Sequence, residues 1–406
     1  MIGGWMESAS LGLAHRAWRL LPAETRRRAM TRVAGLIAGR PDRLPPAASE
    51  GIVVAGDIDG ANGLAETSRI MDTVFRQIGV GRGTLQLGLP SVTPAPGALP
   101  PAEAAMLAVV NAPILPVGLA RWPRALMRGR RVIGLFVWEL PAVPAAWHVG
   151  AKFVHEIWAP SAFCAEAFEP LAPGRVRVVP YPLAALPPRP VEGGRADFGL
   201  PDGALVVLVV FNLASSRVRK NPEGAIRAFR AAFGDRRDRM LVLKLSGTSL
   251  YPEDLAEIRA MVADAPNIRV IDETIPEPAL RGLIAASDIV MSLHRAEGFG
   301  LIPATAMLLG RPVVTTGWSG NMSFMDADSA GLVKYDLVPV NDPRGTYRLE
   351  GSRWAEPDAG HAAALLRQLA DDPSARAALA ARGRETAMRA LGDAPVRDAL
   401  AASGIR

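Results

Sequence analysis

The chain has 406 residues, 49% hydrophobic and 21% charged, with a formal net charge of +6. That length predicts two or three domains with real cores, and the longest unbroken apolar run, 204–211, is far too short to span a bilayer. A single cysteine, Cys164, excludes an intrachain disulfide; with no secretory-type leader in sight, the expected setting is a reducing cytoplasm.

The charge is unevenly placed. Residues 1–43 carry eight arginines and three acids, so this leader holds nearly all of the excess and the body is close to neutral. A nucleic-acid-binding body would need a basic stripe of its own. Met30, Val33, Ala34 and Ile37 fall at helical spacing beside Arg26, Arg27, Arg28 and Arg32. Such a helix either lies on an anionic membrane surface, giving a peripheral contact at the inner face, or packs its apolar stripe on the protein.

After a proline-rich stretch at 42–49, strands and helices alternate. Strand 51–55 leads through a turn at 57–63 into helix 64–78; buried strands follow at 107–110, 132–137 and 156–159. A helix capped by Ser161 and a strand at 176–179 close the first half. A second proline-rich stretch, 182–194, reads as a linker. The second half repeats the scheme: strands 205–211, 241–245, 268–271, 289–292 and 312–315, and helices 222–233, 252–263, 277–286 and 303–309. Apolar strands alternating with helices predict parallel sheets covered on both faces, here two doubly wound Rossmann-like domains across a cleft. Ligands of such sheets sit beyond the carboxyl ends of the strands, so the chemistry belongs in the loops that follow them.

The strongest of these loops is 292–307. It leaves a strand, turns through Gly298 and Gly300 and enters a helix near Pro303. The strand after it runs into Gly317, Trp318, Ser319, Gly320 and Asn321. Two helix starts behind glycine-bearing loops, with Glu297 directly before a glycine, suit a diphosphate. Arg219 and Lys220 stand at another helix start, before Asn221 and Pro222. Cations there oppose the helix dipole, a cost that favours an anionic ligand. In the first half, Asp57, Asp59, Gly60, Asn62 and Gly63 form a strand-to-helix turn that lacks the dinucleotide glycine spacing. Its Asp-x-Asp is in the wrong context for a metal, and none of the five histidines pairs at ligand spacing, so no metal site is expected. His294, at a strand end, either lines the cleft or is structural, and Trp138 either faces an acceptor or packs between domains. Cys164 reads as a small buried filler.

Several of these pieces resemble the GT-B glycosyltransferases of the family-4 type, the glycosyl transferases group 1. They are Arg219-Lys220-Asn221-Pro222, Ser292 through Leu301, Gly310-Arg311-Pro312-Val313-Val314, Ser319-Gly320-Asn321-Met322, Trp138-Glu139-Leu140, Glu156 through Ser161 and Trp354-Ala355-Glu356-Pro357. The likeness covers about residues 51–390. It implies a leader at 1–50, an N-terminal acceptor domain at 51–190, a C-terminal nucleotide-sugar donor domain at 191–375, and helices at 376–406 that return to the first domain. By the same carry-over Glu297, Lys220 and Arg219 are catalytic. Gly298, Phe299, Gly300, Leu301, Thr305, Ser319, Gly320 and Asn321 bind the donor, and Gly60, Asn62, Gly63, Trp138 and Glu139 border the acceptor side. The family has a second glutamate where this chain has Thr305; there it holds the ribose, which threonine does less well. The implied reaction is retaining and metal-independent. It has no cofactor beyond a nucleotide diphosphate-sugar, with a glycan or lipid-linked acceptor from surface polysaccharide assembly. Thr305 also raises an alternative, a catalytically weak GT-B protein acting as a glycan-binding or partner module. A nucleotide-sugar epimerase of related architecture is a third reading.

Overall fold

A computed structural model describes residues 23–60, 62–88, 98–186 and 189–406. Arg16 and Arg19 of the leader and the linker prolines Pro187 and Pro188 lie outside the described residues, as do the side chains of Arg27 and Arg28. The first sheet contains β1 (Ile52–Gly56), β2 (Gly81–Gln86), β3 (Ala105–Val109), β4 (Val132–Leu135), β5 (Glu156–Ala159) and β6 (Val176–Val178), in the order β2-β1-β3-β4-β5-β6 with every pair parallel. The second contains β7 (Leu205–Asn212), β8 (Arg239–Ser246), β9 (Ile268–Ile271), β10 (Ile289–Ser292), β11 (Val313–Thr316) and β12 (Gly331–Val333). Its order is β12-β11-β10-β7-β8-β9, again all parallel. Strands β1, β3 and β4 are buried at every residue, because helices cover both faces of the sheet. The fold is GT-B: two doubly wound α/β domains facing each other across a cleft.

Each sheet reverses its strand order once, between β1 and β3 in the first and between β7 and β10 in the second. These reversals open a crevice beyond the strand ends, where neighbouring connections run to opposite faces. The loops after β1, β7 and β10 therefore meet in the cleft. Strands β2 and β12 were not predicted. Strand β2, with the sequence GRGTLQ, is largely unburied at the sheet edge. An antiparallel hairpin, β13 (Tyr335–Pro339) with β14 (Arg353–Pro357), also escaped, since most of β13 is exposed.

The C-terminal helices, Ala359–Asp371, Pro373–Ala390 and Ala394–Ala402, carry the chain back to the first domain. There Ile405 pairs with Ser49, and the Gly51 N–H donates to the Arg406 carbonyl at 2.7 Å. In the leader, helix Ala23–Ile37 rests on the protein through Thr31, Ala34 and Ala38, with Thr31 Oγ1 donating to the Pro113 carbonyl at 2.9 Å. Of the expected stripe only Ala34 is buried; Met30, Val33 and Ile37 face outward.

Candidate functional site

Strand β7 runs into a short helix, Arg217–Lys220, and then at once into helix Pro222–Phe233. Asn221 makes this double turn possible. It adopts the left-handed conformation (φ 53°), its oxygen accepts from the Gly224 N–H at 3.0 Å, and its amide donates to the Leu293 carbonyl at 2.9 Å. The loop after β7 is thereby pinned to the loop after β10, and Lys220 meets Glu297: Lys220 Nζ donates to Glu297 Oε1. Arg219 Nη1 lies 3.2 Å from Glu297 Oε2.

The loop after β11 supports Glu297 from below. Ser319 Oγ accepts from the Glu297 N–H at 2.9 Å, and the Gly320 N–H donates to the Glu297 carbonyl at 2.8 Å. A Cβ on Gly320 would stand 2.1 Å from the Gly298 carbonyl oxygen, so no other residue fits this close approach. Asn321 is fully buried; its amide donates to the Thr316 carbonyl at 3.0 Å and its oxygen faces His294 Nε2 at 3.2 Å. His294 is likewise fully buried, so it is structural. Burial, then the Lys220 and Arg219 charges, depress its pKa against the pull of Glu297, which keeps it neutral. Among the described residues only Ser216, Asn221 and Ser319 combine a side chain with positive φ, and all three lie in the loops around Glu297. Such conformations persist where the surroundings over-determine them, typically at functional sites.

Burial alone would raise the Glu297 carboxyl, but the Lys220 and Arg219 charges outweigh it and bring its pKa to about 2. Glu297 is therefore ionised at neutral pH. Burial and the Arg219 charge push the Lys220 ammonium below its usual range, against the attraction of Glu297.

Arg219 has a second role that the sequence did not disclose. Its guanidinium donates to the Ala296 carbonyl at 2.6 Å and the Ser215 carbonyl at 2.9 Å, and it approaches Glu139 of the first domain at 3.5 Å. Tyr347 donates its hydroxyl to the same Glu139 at 3.2 Å, and the guanidinium carbon lies 5.6 Å from the Tyr347 ring centre. Glu139, Arg219, Glu297 and Lys220 thus form one balanced cluster across the domain boundary. Trp138 is packed between Trp147 and Tyr347, with centroids 5.3 Å from each, so it serves the interdomain contact. The Gly298 carbonyl accepts from Ser161 Oγ at 2.7 Å and from the Cys164 thiol at 3.2 Å. Burial pushes that thiol up to about 12, which leaves it protonated and inert.

Phe299 is buried against Tyr181 and Phe324, at centroid distances of 4.5 and 4.9 Å. Gly300 (φ 100°) then opens helix Leu301–Leu308 without a side-chain cap, leaving first-turn N–H groups for a ligand. This helix starts at Leu301, two residues before the expected 303, and Thr305, half-buried, is on its second turn. Across the cleft Asn62 caps helix Gly63–Gln77, accepting from the Leu64 and Ala65 N–H groups at 3.0 Å each, and Gly63 faces Leu301. Gly60 completes that turn, its carbonyl accepting from Arg69 Nη1 at 3.0 Å. Asp59 is held by Gln86, and Asp57 lies 3.4 Å from the Asn62 amide. No cluster of three potential metal ligands occurs among the described residues.

The hairpin 335–357 was missed, although Trp354-Ala355-Glu356-Pro357 marks its second strand. Its role is to brace the glutamate loop. Arg295 Nε donates to Glu356 at 2.6 Å, and the Ala355 N–H donates to the Arg295 carbonyl at 2.9 Å.

Residues 205–347 match the glycosyl transferases group 1 family. A D-inositol 3-phosphate glycosyltransferase of Kineococcus radiotolerans is 29% identical over 229 residues, 53% of this chain and 48% of that protein. A second, from Catenulispora acidiphila, is 29% identical over 222 residues, 52% of this chain and 47% of that protein. The match thus spans about half the length of these curated relatives. Among solved structures, Anabaena Alr3699/HepE in complex with UDP and glucose superposes with a TM-score of 0.60 at 14% identity, covering 87% of this chain and 99% of that one. WaaG, a glycosyltransferase involved in lipopolysaccharide biosynthesis, gives a TM-score of 0.56 at 14% identity, covering 86% and 99%.

Proposed function

We propose that this chain, a GT-B protein whose residues 205–347 belong to the glycosyl transferases group 1, moves a sugar from a nucleotide diphosphate donor to a glycan or lipid-linked acceptor. The observation that carries the reading is the Lys220–Glu297 pair at the strand-order reversal of the second sheet, beside the uncapped start of helix Leu301–Leu308. A diphosphate entering there meets a fixed cation and free backbone N–H groups, and a sugar on it meets the Glu297 carboxylate. The Anabaena neighbour binds UDP and glucose, which supports a nucleotide-sugar donor.

Charge developing on the departing phosphate is neutralised by Lys220 and the helix start. Such preorganised groups commonly supply the largest share of a rate enhancement, and no metal is invoked. The reaction retains configuration, with the acceptor attacking from the face that the leaving group departs and that group taking the acceptor proton. The acceptor enters from the side of Asn62 and Gly63. The pathway is surface polysaccharide or glycolipid assembly in the cytoplasm, and the leader helix brings the enzyme to the inner membrane face.

A panel of UDP-, GDP- and ADP-sugars tests this by thermal shift and turnover. One nucleotide class should raise the melting temperature, and Lys220→Ala and Glu297→Ala should each cut transfer at least about tenfold. Absence of both binding and turnover at millimolar donor would favour the second reading, a glycan-binding module whose donor grip was lost with Thr305.

A further inference from the structure

The cleft lies beyond the carboxyl ends of the first sheet. At the opposite, amino ends of β4, β5 and β6 is a cavity of about 930 Å3. Arg131, Arg175 and Arg177 line it from the sheet side, Lys152 from the connection into β5, and Arg40 and Arg43 from the segment after the leader helix. Elsewhere some arginines are matched by acids, as Arg69 is by Glu66, Arg217 by Glu223 and Arg230 by Asp264, and others, such as Arg269 and Arg382, meet only backbone carbonyls, but singly rather than around one cavity. None of these six cations has a carboxylate partner among the described residues, and the Nε atoms of Arg131 and Arg177 are buried without any hydrogen-bond partner.

The two acids at the cavity are already engaged. Asp42 accepts from the Gly129 N–H at 2.7 Å, and Glu156 accepts from Trp158 Nε1 and Ser403 Oγ. His155 adds no charge: the Val132 N–H donates to its Nδ1 at 2.9 Å, its Nε2 faces the Asp42 carbonyl at 3.0 Å, and burial lowers its pKa. Six cations against these two carboxylates leave the cavity with an excess of positive charge, which an anion entering it would offset.

The wall of this cavity continues the leader helix, tied to it where Arg40 donates to the Gly35 carbonyl at 3.2 Å. The leader helix that leads into this wall turns out a row of apolar side chains: Met30 is 39% exposed, Val33 58%, Leu36 77% and Ile37 55%, while Leu44 at the cavity rim is 79% exposed. Free phosphate would complement the cations but leave this row bare, and an acidic protein surface would do the same. A surface with anionic headgroups over an apolar layer complements both.

We infer that this face of the first domain docks on an anionic phospholipid surface, a lipid phosphate entering the cavity and the Met30–Ile37 row entering the headgroup layer. The inference rests on the membrane contact proposed above and gives it a binding site, at the far end of the sheet from Lys220 and Glu297. It is independent of the donor chemistry.

The test is co-sedimentation of the full chain with vesicles of phosphatidylcholine alone and with roughly one-third phosphatidylglycerol, at low and high salt. Binding is expected to anionic vesicles only and to weaken with salt. Arg43→Ala with Arg177→Ala should cost about thirtyfold in partitioning. Leu36→Ser with Ile37→Ser should cost at least about tenfold. Both variants should keep the wild-type melting temperature and nucleotide-sugar shift. Equal binding to neutral vesicles, or wild-type binding by the double arginine variant, would overturn the inference. So would a third result: inorganic phosphate stabilises the wild type but not the arginine variant, while neither vesicle binds. That result makes the cavity a site for a soluble phosphate. A missing nucleotide-sugar shift would sink the transferase reading and leave the vesicle result standing.

Discussion

Replacing Glu297 by glutamine keeps the shape of the side chain and removes its charge, leaving Lys220 and Arg219 as neighbouring cations with only Glu139 to offset them. The carboxyl pKa falls from its ordinary 4.5 to about 2 in the folded protein. Through linkage this stabilises the fold by roughly 3 kcal/mol at neutral pH. Because the folded value is the lower one, the stabilisation is fully present above about pH 4.5 and is lost as pH falls towards 2. At pH 3 roughly 1–1.5 kcal/mol should remain. Urea unfolding of wild type and Glu297→Gln from pH 7 to pH 3 reads the difference directly. It should shrink by about half or more across that range. A constant gap would mean that the carboxylate is not held ionised by its two cations, and the electrostatic account of the site would fail with it.

Gly320→Ala places a methyl 2.1 Å from the Gly298 carbonyl and must displace the strut beneath Glu297. Turnover should fall about a hundredfold, the scale expected for a small misplacement of reacting groups, and wild-type turnover would show that the strut does not position the acid. Thr305→Glu places a carboxylate on the second turn of helix Leu301–Leu308, where the family that the chain resembles has a glutamate. Nucleotide-sugar affinity by calorimetry should improve about tenfold or more, as one charge-assisted hydrogen bond implies; unchanged affinity would mean that this position does not touch the nucleotide.

The sheets were legible because their strands are buried on both faces, so that stretches such as 205–211 read as continuous apolar runs. The hairpin was not: Tyr335, Asp336 and Leu337 are exposed, and their stability comes from pairing with β14 and packing beneath it. In the site, a strand followed by Arg219 and Lys220 and another followed by Glu297 were visible as chemistry. Their division of labour was not. Lys220 and Glu297 are brought together by Asn221 bonding the Leu293 carbonyl, a contact between loops 72 residues apart. Nothing local marks Tyr347, which matters because Glu139, Trp138 and Arg219 converge on it in the fold. The split of the leader stripe was equally hidden. Helical spacing brings Met30, Val33, Ala34 and Ile37 near one another, and only tertiary contact decides which of them is covered.

The cluster around Glu297 also couples the two domains. The first domain touches the glutamate loop through Ser161 and Cys164 on the Gly298 carbonyl, and it reaches the neighbouring loop through Glu139 on Arg219. The second domain holds the glutamate loop through Ser319, Gly320 and the Arg295–Glu356 pair. A rotation that opened the cleft would break the Ser161 bond and separate Glu139 from Arg219. Arg219 would keep the Ala296 and Ser215 carbonyls and Glu297, all within its own domain. Its guanidinium would then have one carboxylate instead of two, and its pull on Glu297 would strengthen. Closing the cleft shares that charge with Glu139 and leaves Lys220 as the cation least committed to the protein. The domain arrangement thereby affects how much positive charge surrounds Glu297, and under the proposed function this would link the seating of the first domain to the grip on a diphosphate.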